Sequence, residues 1–324
     1  MYITVCNAEG WEQWSTDKFG KKFIQNFLLE LDMNCQNCSV KETILLLLIL
    51  LDPILSENRV KRLSTPDFFK NQTLEMAKYV ISIRSRIPER YYGDNHYCGG
   101  AIVAPRFVLT AAHCVMDKSK FKYPSRTIMV VGGTPNRLKF IDNKSVNMPV
   151  KEIFVPINFT SQNTNNIALL KLTEAWPTTN PGVAIISIPN ENPTVNSSYF
   201  LLGWGRMYKG GPLSSLILQI NVTIFDTATC KSMLRTFKEE MLCGMNEDPA
   251  IHQSPCQGDE GAPLIRNNVV YGITTYRLGC STPTLPSVYT NVYYHKDWIN
   301  SIISAADWQC IPAIVLLSLS VLVF

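Results

Sequence analysis

Two short stretches hold the side chains best suited to chemistry. One is Thr110-Ala111-Ala112-His113-Cys114, whose imidazole can take up and return a proton near neutral pH. The other is Cys256-Gln257-Gly258-Asp259-Glu260-Gly261-Ala262-Pro263-Leu264, a glycine-rich stretch with two adjacent carboxylates. Taken alone, His113 and Glu260 make a candidate acid–base pair, but nothing beside them names a substrate. A lone histidine is more often structural than catalytic, so the pair carries no function until a scaffold places it.

The scaffold reads as β. Between residues 79 and 290 short apolar runs are broken by Gly, Pro and Asn. They cover 102–109, 128–131, 167–172, 217–222, 269–275 and 288–292. Runs of that length, bounded by turn residues, predict an all-β fold, either sandwich or barrel. One helix is expected near the end, where Trp298, Ile299, Ile302 and Ile303 share a face and Asp297 falls in the first turn. No internal repeat recurs at a fixed period.

Composition narrows the class. The chain has 324 residues, 46% of them hydrophobic, enough for a large core. Its 30 basic and 26 acidic residues leave a net charge of only +4, which argues against a nucleic-acid binder. Ten cysteines, with apolar segments at both ends, point to an oxidising compartment. Five glycosylation acceptors, at Asn71, Asn143, Asn158, Asn196 and Asn221, point the same way, to a secreted glycoprotein.

The ends read as processing segments. The apolar run 44–51 is shorter than the roughly 20 residues a spanning helix needs. It suits the core of a signal peptide over 33–56, with translation starting at Met33 and residues 1–32 as an extension. A signal anchor is the competing reading. Residues 57–62 carry the basic cluster Arg59-Val60-Lys61-Arg62, a processing site. The tail 307–324 is apolar and has the outline of a lipid-anchor signal, with attachment near Asn300 or Ser301.

Several landmarks follow in order. Cys98-Gly99-Gly100-Ala101-Ile102 precedes the His113 stretch. Asn166-Ile167-Ala168-Leu169-Leu170-Lys171-Leu172, Gly203-Trp204-Gly205, the Glu260 stretch and Pro286-Ser287-Val288-Tyr289-Thr290-Asn291-Val292 come after it. Together they resemble the chymotrypsin/trypsin family of serine proteases over residues 63–306. The resemblance implies two six-stranded antiparallel β-barrels with the active site between them, followed by a C-terminal helix. It also implies three disulfides, Cys98–Cys114, Cys230–Cys243 and Cys256–Cys280. Cys6, Cys35, Cys38 and Cys310 fall outside that pattern.

Residue by residue, the resemblance assigns His113 to the general base. Asn166 stands where the family has an aspartate, and Glu260 where it has the nucleophilic serine. An amide at the aspartate position can donate to the imidazole and impose the wrong tautomer, which lowers kcat about 10⁴-fold in a template enzyme of this family. A carboxylate is a poor nucleophile toward amides and repels a developing oxyanion. Gly258 and the backbone N–H of Glu260 retain an oxyanion-hole loop into which the Glu260 side chain can fold. Ser254 falls at the floor of the specificity pocket and Arg277, after Tyr276, on its wall, with Ser287 completing the outline. Asp259 matches the buried acid that pairs with a new N-terminus, here one freed by cleavage between Arg62 and Leu63.

The expectation is a catalytically inactive, secreted homologue that acts by binding a protein: a protease, a protease inhibitor or an extracellular receptor. The alternative is an active serine endopeptidase. No cofactor or metal is called for, no nucleic-acid partner is expected, and a membrane enters only through a lipid anchor.

Overall fold

The structure, a computed structural model, describes residues 2–7, 10–15, 71–160, 162–246, 253–276, 280 and 285–308. The expected signal peptide, the basic segment 57–62, most of the apolar tail, Cys35, Cys38, Cys310 and Arg277 lie outside those residues. Near the N-terminus, β1 (Tyr2–Asn7) and β2 (Gly10–Ser15) form a two-stranded antiparallel hairpin, with Tyr2 opposite Ser15. It belongs to a first unit, Met1–Arg59, and the rest of the chain to a second, Val60–Phe324.

The second unit holds two closed six-stranded barrels. The first takes β3 (Val80–Ser85), β4 (His96–Ala104), β5 (Phe107–Thr110), β6 (Ile128–Gly132), β7 (Val146–Phe154) and β8 (Ala168–Leu172), closing in the order β3-β4-β5-β8-β7-β6. The other takes β9 (Ser198–Gly203), β10 (Leu218–Ile224), β11 (Met241–Asn246), β12 (Pro263–Arg266), β13 (Val269–Tyr276) and β14 (Ser287–Asn291), closing as β10-β11-β14-β13-β12-β9. Every pair of neighbouring strands is antiparallel. Closure leaves no sheet edge, which removes the usual route to edge-to-edge aggregation.

The alternation rule explains the interiors. Along β10, Leu218, Ile220, Val222 and Ile224 are buried while Gln219, Asn221 and Thr223 are only half-buried. Ile81, Ile83, Ile102, Leu109, Leu169 and Leu170 are buried on the two faces of the first barrel's sheet, and Tyr199, Leu201, Ile220, Leu264 and Tyr289 cluster in the other barrel. Burying one such side chain stabilises by about 1.5–3 kcal/mol.

Among the described residues, three α-helices accompany the barrels. In α1 (Asn71–Ala77), Thr73 is buried and its Oγ1 donates to Gln219 Oε1 at 2.7 Å, which ties the helix to β10. Asp226 caps α2 (Thr227–Met233) by accepting from the Thr229 amide at 2.9 Å, an arrangement that contributes about 1 kcal/mol. The expected C-terminal helix is α3 (Lys296–Trp308), with Ile299 fully buried and Trp298, Ile302 and Ile303 packed on the same core. No helix among the described residues is long and apolar enough to cross a membrane.

Candidate functional site

His113 sits in a 3₁₀ turn, Ala112–Cys114, immediately after β5. A disulfide between Cys98 and Cys114 fastens that turn to β4. The other two bridges are Cys230–Cys243 and Cys256–Cys280, so all three pairings match those the resemblance implied. The barrels are joined across the site: Gly99 N–H donates to the Glu260 carbonyl at 2.7 Å, and Thr290 Oγ1 donates to the Asn166 carbonyl at 2.8 Å. The fold therefore brings His113, Asn166 and Glu260 to one seam.

Asn166 is fully buried and its amide orientation is fixed twice over. Oδ1 accepts the His113 backbone N–H at 3.1 Å, so that end must be oxygen. Nδ2 donates to Asn163 Oδ1 at 3.0 Å, so the other end must be nitrogen. That nitrogen lies 2.7 Å from His113 Nδ1. An amide nitrogen only donates, so Nδ1 accepts and the imidazole proton resides on Nε2. With Nε2 already protonated, the ring face available to a hydroxyl nucleophile has no lone pair to receive its proton.

Glu260 folds back on its own loop. Its Oε2 accepts the Gly258 N–H at 2.7 Å. Gly258 holds φ at +101°, a conformation that β-carbons disfavour, and this turns the amide toward residue 260. A carboxylate thus occupies a donor of the loop expected to stabilise an oxyanion. Ala262 is not among the positive-φ residues and is fully buried, so the alanine sits without backbone strain.

Asp259 is fully buried. It accepts the Gly205 N–H at 2.8 Å through Oδ1 and the Cys256 N–H at 2.8 Å through Oδ2. Its closeness accounts for Gly205, where a β-carbon would stand 2.3 Å from Asp259 Oδ2. The glycine after Trp204 is needed for room. Of the pocket residues, Ser287 is buried in β14 and Ser254 is half-buried. Thr275, beside them in β13, donates through Oγ1 to the Val288 carbonyl at 3.0 Å.

His96 belongs to the site although no sequence pattern singled it out. Its Nε2 lies 2.9 Å from the Gly258 carbonyl, which can only accept, so Nε2 carries the proton. Nδ1 then accepts from Ser82 Oγ at 2.8 Å, and Ser82 Oγ accepts from Arg84 Nε at 2.9 Å. This chain pins the carbonyl of the loop that holds Glu260. Asn163 is the other residue missed; its separation of three from Asn166 is the one hint in the sequence.

Burial holds His96 neutral, with its pKa lowered from 6.5 to about 3, and lowers that of His295 to about 4. The unfolded chain protonates both below pH 6.5, while the folded chain resists until pH is near 3 or 4. Stability is therefore full above pH 6.5 and falls with acidification, by about 1.4 kcal/mol per pH unit for each group. Urea midpoints should drop between pH 7 and 5, and less steeply in His96→Gln. A midpoint that holds or rises over that interval would contradict the buried, neutral state.

Comparison with known proteins supplies the context for this geometry. The family model described as Trypsin matches residues 73–299. Trypsin eta of Drosophila erecta is 32% identical over 240 residues, covering 69% of this chain and 84% of the relative. Chymotrypsin-2 of Vespa crabro is 31% identical over 225 residues, covering 69% and 94%. Chymotrypsin-C of Bos taurus is 34% identical over 232 residues, covering 66% and 82%.

Proposed function

The chain belongs to the trypsin-like serine protease family, and from that membership we propose that it is a catalytically silent member acting by protein binding. The observation that carries the reading is the pairing of Glu260 Oε2 with the Gly258 N–H at 2.7 Å. An active member needs that donor open, because the charge that develops in the transition state must find it empty. Here a fixed negative charge fills it before any substrate arrives. The amide of Asn166 adds to this by holding His113 in the tautomer that cannot take a proton from a nucleophile. In a related triad system, loss of the nucleophile or the base costs about 10⁶ in kcat.

A fluorophosphonate probe tests the reading directly, since it labels an activated serine whatever the pocket prefers. The expected outcome is no covalent labelling of the folded, disulfide-bonded protein. Labelling at a serine beside His113 would sink the proposal.

The same reading places the protein outside the cell, in the setting of a protease, a protease inhibitor or a receptor. Three disulfides favour an oxidising compartment. The acceptors Asn143, Asn158 and Asn196 are exposed, Asn221 is half-buried on the outer face of β10, and Asn71 begins α1. Treatment of protein from the medium of expressing animal cells with a peptide N-glycosidase is expected to lower its mass in several steps. A single unshifted band would remove the glycoprotein reading.

A further inference from the structure

We infer that the outer end of the first barrel, beside the loop 86–95, is a docking surface for an acidic polypeptide segment that also carries apolar side chains. The inference rests on the binding role proposed above, and it names the partner's chemistry. The starting point is charge. Residues 80–190 hold 13 basic and 6 acidic side chains, whereas residues 191–308 hold 8 basic and 10 acidic. The small net charge of the chain therefore conceals a strongly positive first half.

The fold concentrates that charge. Strands β3 and β6 pair antiparallel so that Ser85 faces Ile128, which sets the loop after β3 beside the turn Ser125–Thr127 that leads into β6. Arg86 N–H donates to the Thr127 carbonyl at 2.8 Å and its Nη1 to the Arg126 carbonyl at 3.4 Å. Ser125 Oγ donates to the Lys151 carbonyl at 3.0 Å, and Lys122 Nζ to the Ile153 carbonyl at 2.9 Å. Arg86, Arg126, Lys151 and Lys122 are all exposed and form no ion pair among the described residues. The acids nearby are Glu89, Asp94, Glu152 and Asp117, the last in the hairpin that carries Lys122 and accepting the Ser119 and Phe121 N–H groups. Glu89 and Glu152 are exposed, and Asp94 is engaged by the backbone N–H groups of Glu89, Arg90 and Tyr91.

Beneath the surface lie two further cations that form no direct ion pair among the described residues, with the single carboxylate of Asp94 near enough to act on both. Arg84 is 2% exposed and Arg137 is 6% exposed. Arg84 donates to Ser82 Oγ and the Arg137 carbonyl, and Arg137 to the carbonyls of Ser214, Gly93 and Leu213. All of these acceptors are neutral. Burial lowers the pKa of both guanidiniums, yet an arginine stays charged at neutral pH. One carboxylate, Asp94, stands against two buried positive charges, so the pair keeps a net positive field that a further negative group from outside can answer. A low-dielectric floor also strengthens their field at the surface.

Apolar groups stand among the cations. Ile87 is 79% exposed, Tyr91 58% and Phe140 51%. Arg84 stacks on Tyr92, 4.7 Å from its centroid, and Tyr92 meets Phe140 edge-on at 5.9 Å. A sulfated glycan would answer the charge but leave these side chains in water. An acidic polypeptide with apolar residues answers both, and aromatic and arginine side chains are the types that anchor protein interfaces.

The test uses the full secreted protein and a short fluorescein-labelled peptide alternating Glu with Leu and Phe. Fluorescence anisotropy is expected to show salt-sensitive binding that weakens about tenfold or more in Arg86→Glu/Arg126→Glu/Lys151→Glu. Ile87→Ser/Tyr91→Ser is expected to weaken it several-fold at unchanged salt sensitivity. These side chains are exposed, so an unchanged melting temperature should accompany both losses. Arg86→Gln/Arg126→Gln gives the same direction if charge reversal disturbs folding. Equal affinity in wild type and variants overturns the inference, as does preference for a sulfated oligosaccharide or for vesicles of anionic phospholipid. Failure here with an unlabelled active site leaves catalytic silence standing. Fluorophosphonate labelling with variant-sensitive peptide binding would do the reverse.

Discussion

The double variant Asn166→Asp/Glu260→Ser is expected to react with a fluorophosphonate and to hydrolyse peptide bonds, where the wild-type protein is expected to do neither. Each half of the change answers one feature of the site. A serine at 260 removes the carboxylate from the Gly258 N–H and supplies a hydroxyl near His113. An aspartate at 166 keeps the acceptor for the His113 backbone N–H, now seen at 3.1 Å. Its second oxygen replaces the nitrogen 2.7 Å from Nδ1, so the imidazole proton moves to Nδ1 and Nε2 becomes a base. Asn163, half-buried, must then turn its amide nitrogen toward residue 166, a flip that side-chain rotation alone can make.

The single variants give the ordering. Glu260→Ser alone should fall about 10⁴-fold below the double variant, because the wrong tautomer persists. Asn166→Asp alone should stay inert, because the nucleophile is still missing. Strong non-additivity of this kind marks residues that act as one unit. A folded double variant that reacts no better than wild type would show that the triad positions are not what the proposed silence rests on. The proposal would then have to move to the pocket or to the backbone around Asp259.

How far the sequence carried this picture differs from one part of the chain to another. The strands built on β-branched and leucine runs, such as β8, were legible because burial on both faces leaves an unbroken apolar signature. Strand β7 was not, since Pro149 and Lys151-Glu152 interrupt its alternation; a bulge between Val150 and Glu152 absorbs the irregularity. Helices α1 and α2 are seven residues each, too short for a periodic pattern. The Asp226 cap was there to be read, but a lone acceptor before a polar stretch is a weak signal. At the site, His113, Asn166 and Glu260 were found through the landmarks around them. His96 was not, because its role depends on a carbonyl 162 residues away. The basic surface was hidden for the same reason: Arg86, Arg126 and Lys151 are scattered in the chain and meet only through the pairing of β6 with β3 on one side and β7 on the other.

Removing the Cys98–Cys114 bridge as Cys98→Ala/Cys114→Ala is expected to cost about 3 kcal/mol, the chain-entropy value for a loop of this size. At the usual entropy of unfolding for a domain this long, the melting temperature should fall by roughly 6–12 °C. The separations of 16, 13 and 24 residues in the three bridges differ too little to rank them, since their loop entropies lie within about 0.5 kcal/mol. What separates them is where each is anchored. Cys230–Cys243 fastens α2 to β11 of the other barrel, whereas Cys98–Cys114 fastens the turn that carries His113. The two paired-alanine variants should therefore melt at similar temperatures but differ at the site. Only Cys98→Ala/Cys114→Ala should broaden the His113 ring resonances, as the Asn166 hydrogen bond loosens. The cysteines themselves are at most 4% exposed in this bridge, so mild reductant should open it only as the protein unfolds. Reduction of the native protein at a rate independent of urea would refute that picture, and a melting temperature within about 2 °C of wild type would refute the loop-entropy account.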